Sequence, residues 1–103
     1  MAGNAQKILD SATTNQTSKL ARNLTGSRTI QAAITGSGVL AAVVSWYGSN
    51  SSELSNGVLV ATTTISDTVT ASGLPYYGEW PFMYAVLSGI SGTNAAVTAT
   101  IRS

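Results

Sequence analysis

From residue 28 onward, apolar and polar side chains alternate with a period of two, the repeat of a half-buried β-strand. "RTIQAAIT" places Ile30, Ala32 and Ile34 on one face. After the break "GSG", "VLAAVVSWYGS" places Leu40, Ala42, Val44 and Trp46 on one face and Val39, Ala41, Val43, Ser45 and Tyr47 on the other. Both of these faces are largely apolar, which predicts a strand that is central or is covered by a neighbour on its second face. "SNSSELSNG" reads as a loop, "VLVATTTIS" as the next strand and "DTVTASGL" as a further short one. "PYYGEWP" is a turn-rich aromatic segment.

The stretch "WPFMYAVLSGISGTNAAVTATI", residues 80–101, is uncharged and as long as a membrane span. Its interior argues against a spanning helix, because Gly89, Ser91, Gly92, Thr93 and Asn94 fall at its centre. Strict alternation follows, with Val97, Ala99 and Ile101 opposite Ala96, Thr98 and Thr100. The pattern predicts two strands joined by a Gly-rich turn, a β-hairpin whose core face is Met83, Ala85, Leu87, Val97, Ala99 and Ile101.

Residues 1–27 are polar and weakly patterned. "KILD" allows a short strand or one helical turn, and Leu20 and Leu24 are isolated apolar anchors. The predicted organisation is an extended N-terminal arm over 1–27 and a β-sandwich domain over 28–103. Six to eight short strands separated by turn signals predict an all-β, antiparallel sandwich, jelly-roll-like or immunoglobulin-like.

Composition supports this reading and narrows the chemistry. The chain has 103 residues, enough for one modest core. Ser and Thr make up about a quarter of it, and charged residues only 9%. Few charges leave a free monomer poorly protected against association, which suggests work inside an assembly. There is no Cys for disulfides and no His to serve as general base or metal ligand. The net charge of +1 hides an asymmetry. Lys7, Lys19, Arg22 and Arg28 are opposed in the N-terminal segment only by Asp10, while Glu53, Asp67 and Glu79 face a single base, Arg102, in the rest. Four dispersed bases do not make a nucleic-acid patch; they fit equally an arm that docks on an acidic neighbour and a few solvated bases on a polar surface.

No catalytic constellation stands out. The four carboxylates Asp10, Glu53, Asp67 and Glu79 are dispersed, and only Glu79 lies beside aromatic residues. A serine nucleophile lacks a base, and "GSG" has no helix after it to cradle a phosphate. "SNSSELSN" has too few carboxylates for a calcium loop. The expectation is therefore a non-enzyme with no metal and no cofactor. The aromatic cluster Tyr76, Tyr77, Trp80, Phe82 and Tyr84 reads first as a plug at the end of the sandwich, then as a subunit contact. A sugar-binding platform using Tyr76, Tyr77 and Trp80 comes third.

The C-terminal stretch resembles a pattern of small tailed-bacteriophage virion proteins. In these an aromatic start leads into a strand, then an "ISGTGA" turn, then an alternating final strand. Here the aromatic start is Trp80, Phe82 and Tyr84, the turn runs from Ile90 to Ala95, and the final strand carries Val97, Ala99 and Ile101. "RTIQAAITGSGVLAAVVSWYGSN" and "GVLVATTTISDT" match the upstream segments, so the resemblance covers residues 28–102. The family's usual Asp-Gly is replaced by Ser51-Ser52, and a base of the penultimate strand by Tyr84 or Val86. The resemblance implies a virion structural protein: a capsid decoration (cement) protein, or else a neck, tail or baseplate component. It implies the major capsid protein as partner and self-association, with a trimer expected first and a dimer second. No nucleic-acid or membrane partner is implied. The implied location is the capsid exterior, after synthesis in the host cytoplasm without a signal peptide. Lys7, Lys19, Arg22 and Arg28 would dock on the capsid.

Overall fold

A computed structural model describes residues 5–22, 24, 26–54 and 56–102. They form six strands and no helix: β1 (Ala5–Ala12), β2 (Gln16–Thr17), β3 (Arg28–Ser49), β4 (Val58–Ser66), β5 (Ala71–Tyr76) and β6 (Phe82–Arg102). All pairings are antiparallel. The long strands β3 and β6 pair with each other from end to end, Thr29 opposite Arg102 and Ser49 opposite Phe82.

The register reveals four long, bent strands. β4 pairs with 41–48 of β3 and β5 with 28–33, so the two follow one another along the same side of β3. Along the free side of β6 run β1, β2 and an isolated bridge from Ala21 to Met83. Each of the four lines breaks or bends once at the same level: near 13–15, 36–40, 67–70 and 88–94. One layer is therefore β1, the end of β6, the start of β3, and β5. The other is β2, the start of β6, the end of β3, and β4.

Parity shows how the layers face. In β3 the even positions Ile30, Ala32 and Ile34 are buried before the bend, and the even positions Leu40, Ala42, Val44 and Trp46 after it. In β6 the odd positions Met83, Ala85 and Leu87, then Val97, Ala99 and Ile101, are buried on both sides of the bend. The same face of the sheet is thus inside throughout. With no helix to cover it, the sheet covers itself by folding over, and the inner residues form one cluster. Leu9, Ile30, Val44, Trp46, Ile65, Met83, Leu87, Val97 and Ile101 are each under 2% exposed. Each contributes about 1.5–3 kcal/mol by leaving water.

Close approach of backbones makes the bend possible. Gly36 has φ +139°, and a Cβ there would lie 2.8 Å from the Thr93 carbonyl oxygen. Gly92, φ +124°, is covered by Leu40. A side chain at either site would push the central strands apart where they turn together.

The all-β antiparallel sandwich expected from the pattern is what forms. Its two layers are halves of one hydrogen-bonded sheet, unlike the separate sheets of an immunoglobulin-like domain. Two expectations are corrected. The stretch 80–101 is not a hairpin: "SGISGTN" is a bend inside the single strand β6, whose halves pair with β3 and not with each other. Residues 5–22 are not an arm outside the domain. β1 pairs with the last strand, and Ile8, Leu9, Ala12, Ala21 and Leu24 are buried in the common core. Residues 1–4, 23 and 25 of the predicted arm lie outside the described residues.

Candidate functional site

Opposite the bend the sandwich has an open end, where the chain passes from one layer to the other over 76–82. The aromatic segment closes it. Trp80 lies against the core and covers Gly48, where a Cβ would come inside 3.0 Å of three indole atoms. Its Nε1–H donates to the Tyr76 hydroxyl at 3.0 Å. Tyr84 is buried and stacks on Tyr47, ring centroids 5.2 Å apart and planes 9° from parallel. Its hydroxyl accepts the Gly57 N–H at 3.0 Å. Phe82 is half-buried and Tyr77 is 73% exposed. Tyr76 and Trp80 thus pack against the core at this end, whereas Tyr84, opposite Tyr47 at an even position of β6, is covered on the outer face of the sheet. Tyr76 and Trp80 do not form a flat platform with Tyr77, so the three rings named for sugar stacking are not brought together on one surface.

Arg28 fastens this end. Its side chain donates from Nε and Nη2 to the Gly26 carbonyl, at 3.1 and 2.7 Å, and from Nη1 to the Trp80 carbonyl. Only 2% of the residue is exposed. Burial lowers the guanidinium below its ordinary value, while Tyr76 and Glu79 act in the opposite sense. Arg28 is therefore not a docking residue. It occupies an inward position of β3, in step with Ile30 and Ala32, and satisfies two carbonyls that close the plug.

The other bases behave differently. Lys7, Lys19 and Arg22 are all exposed and lie along the line of β1, β2 and the 18–22 segment, on one side of the sheet. Lys7 sits 3.8 Å from Asp10, with both side chains more than half exposed, a surface pair of little energetic weight. Asp67 directly follows β4, on the opposite side, and Glu53 lies in the loop between β3 and β4. The charge asymmetry of the chain thus becomes a polarity across the sheet: a basic β1–β2 side and a mildly acidic β4 side.

The carboxylates are dispersed in the fold as they are in the sequence, on β1 and in three separate loops. Among the described residues no three His, Cys, Asp or Glu side chains come together in a way that could hold a metal ion. A shallow groove of about 350 Å³ runs between Ser27, Thr29, Pro75, Tyr77 and Arg102, open to solvent along its length. Its only exposed ring is Tyr77. No described helix is long and apolar enough to cross a membrane. Comparisons with protein-family models, with curated proteins and with solved structures find no match to this chain.

Sequence reasoning missed Gly48, beneath Trp80 at the core end, and Gly57, beneath Tyr84 on the outer face. The only signal was a glycine at the end of a strand near Tyr47 and one at the end of the loop before β4.

Proposed function

We propose that this chain is a non-enzymatic virion structural protein, a decoration protein that binds the assembled major-capsid shell of a phage and stabilises it. The observation that carries this reading is the row of exposed bases, Lys7, Lys19 and Arg22, along one side of the sandwich. Such a side suits docking on an acidic, preassembled surface, where attraction steers encounter and fixes orientation. The resemblance of residues 28–102 to small phage virion proteins supports the same reading. So does a surface with few charges, suited to being covered by neighbours. A protein that binds the closed shell and not its free subunits shifts the equilibrium toward the shell by mass action.

The docking element in this proposal is the β1–β2 side, not a flexible arm. Lys7→Gln, Lys19→Gln and Arg22→Gln together are expected to lower occupancy on purified shells while far-UV circular dichroism and thermal melting stay unchanged. Wild-type occupancy should itself fall as ionic strength rises, and the gap between wild type and partial variants should narrow, because exposed charges are screened. Full occupancy by the triple variant would refute docking through this side. A neck, tail or baseplate position is the alternative within the same class, and it would show as a low copy number per particle. A carbohydrate- or receptor-binding role is left with Tyr77 as its one exposed ring.

A further inference from the structure

The fold has four lines of strand edge, and three of them are closed. β1 carries Lys7 and Asp10 and is broken by register shifts at Lys7/Leu9 and Leu9/Ala12. In the 18–22 segment the Lys19 N–H donates to the Ile8 carbonyl at 3.0 Å. The Gln6 side-chain amide takes both backbone groups of Arg22, accepting its N–H at 2.9 Å and donating to its carbonyl. β5 is short and holds Gly73 and Pro75. Charges, bulges, caps and proline are the usual means of blunting a sheet edge.

β4 has few of these. Its nine residues, "VLVATTTIS", contain no charge and no proline, and one bulge at Val60 leaves 61–66 in regular register with β3. The Asp67 N–H donates to the Leu40 carbonyl, so the amides of 67, 65 and 63 point toward β3. Thr62 and Thr64 therefore present their N–H and C=O groups outward; the Ser66 N–H is already taken by the Val69 carbonyl. Exposed apolar side chains gather on the same edge. Of seven large ones among the described residues, Val58 and Leu59 are on β4, while Leu54 and Val69 lie within four residues of its ends.

We propose that two copies of this chain pair through β4, antiparallel about a two-fold axis, with Thr62 of each opposite Thr64 of the other. A second copy is the fitting partner because the open groups are self-complementary. Thr62 and Thr64 form two equivalent hydrogen-bonded pairs, four bonds in all, and every outward group of both residues is used. This register sets Asp67 opposite Leu59 of the other copy, so no two carboxylates meet. It also brings the Val58–Leu59 end of each copy against the 67–69 turn of its mate, covering Val58, Leu59 and Val69 together. The dimer does not depend on the virion reading. It leaves the basic β1–β2 sides free at the two outer margins.

Analytical ultracentrifugation of the full chain over a concentration series tests it. Wild type should sediment as a monomer–dimer equilibrium. Thr64→Pro removes only an outward N–H, so it should leave the melting transition in place. It removes two of the four bonds, which raises the dimer dissociation constant at least about tenfold. A second measurement covers the case in which that variant misfolds. Thr62→Cys and Thr64→Cys proteins, mixed under oxidising conditions, should form a mixed disulfide. Neither should cross-link alone, because like positions are offset along the strands beyond disulfide reach. A wild-type chain that stays monomeric, a trimer unaffected by Thr64→Pro, or like-with-like cross-linking would overturn the proposal.

Discussion

Replacing Gly48 with alanine puts one methyl group where the Trp80 indole now lies. The Cβ would come inside 3.0 Å of three ring atoms, a separation real Cβ contacts do not show. The backbone itself offers no objection, since Gly48 is not among the residues with positive φ. The cost is therefore steric and belongs to the ring. Overpacking typically costs about 1–3 kcal/mol. If the ring is expelled instead, the loss is about 2 kcal/mol for a half-buried tryptophan and about 1 kcal/mol for its hydrogen bond to Tyr76. Both routes give up to about 3 kcal/mol, a fall in melting temperature on the order of 10–20 °C for a domain of this size. Trp80→Ala should cost about the same. In the double variant the space is already vacant, so adding Gly48→Ala should be neutral, or stabilising by about 0.5–1 kcal/mol because alanine suits a strand better than glycine. Urea unfolding followed by circular dichroism and by Trp46 fluorescence gives all three values; Trp46 is fully buried and survives in every variant. The expected coupling is about 2–3 kcal/mol. Additive effects, within about 0.5 kcal/mol, would refute the plug.

Two further outcomes follow from the core. Leu9→Ala should cost about 2–5 kcal/mol in chemical denaturation, because Leu9 is 1% exposed within the common core; a change below about 0.5 kcal/mol would restore the picture of a dispensable N-terminal arm. Thr63→Val keeps the shape but strands the Trp46 indole N–H, which now donates to Thr63 Oγ1 at 2.9 Å in a buried setting, so a loss of about 1–3 kcal/mol is expected in the same assay.

Much of the architecture was legible in the alternation, and the misreadings have definite causes. The six to eight short strands inferred from the pattern correspond to four long lines, each interrupted once. Ser, Gly, Thr and Asn mark a bend inside a strand as readily as a turn between strands. Parity would not have separated the two in β6, where odd positions are buried on both sides. Only pairing partners distinguish a hairpin from two halves that both pair with β3. β1 was hidden for a different reason. Its bulges bury the consecutive residues Ile8 and Leu9, which destroys the period-two signal. Arg28 was read by its charge, yet its place in step with Ile30, Ala32 and Ile34 already put it on the inner face. The bases that stay on the surface, Lys7, Lys19 and Arg22, could be named from sequence, but their common side could not, because it depends on which strand lies beside β6. The aromatic cluster is visible in the sequence, but not which of its rings turn inward: Tyr76 and Trp80 pack on the core, while Tyr84 stacks on Tyr47 outside. The glycines that seat these rings are silent in the sequence, since a glycine under a ring looks like any glycine in a loop.

The most direct measurement is the quantity and position of this chain in purified phage particles, by mass spectrometry and by labelling from outside. A decoration role predicts hundreds of copies, on the exterior, absent from unassembled capsid subunits. Absence from the particle, or a single small ring of copies at the neck or tail, would contradict it.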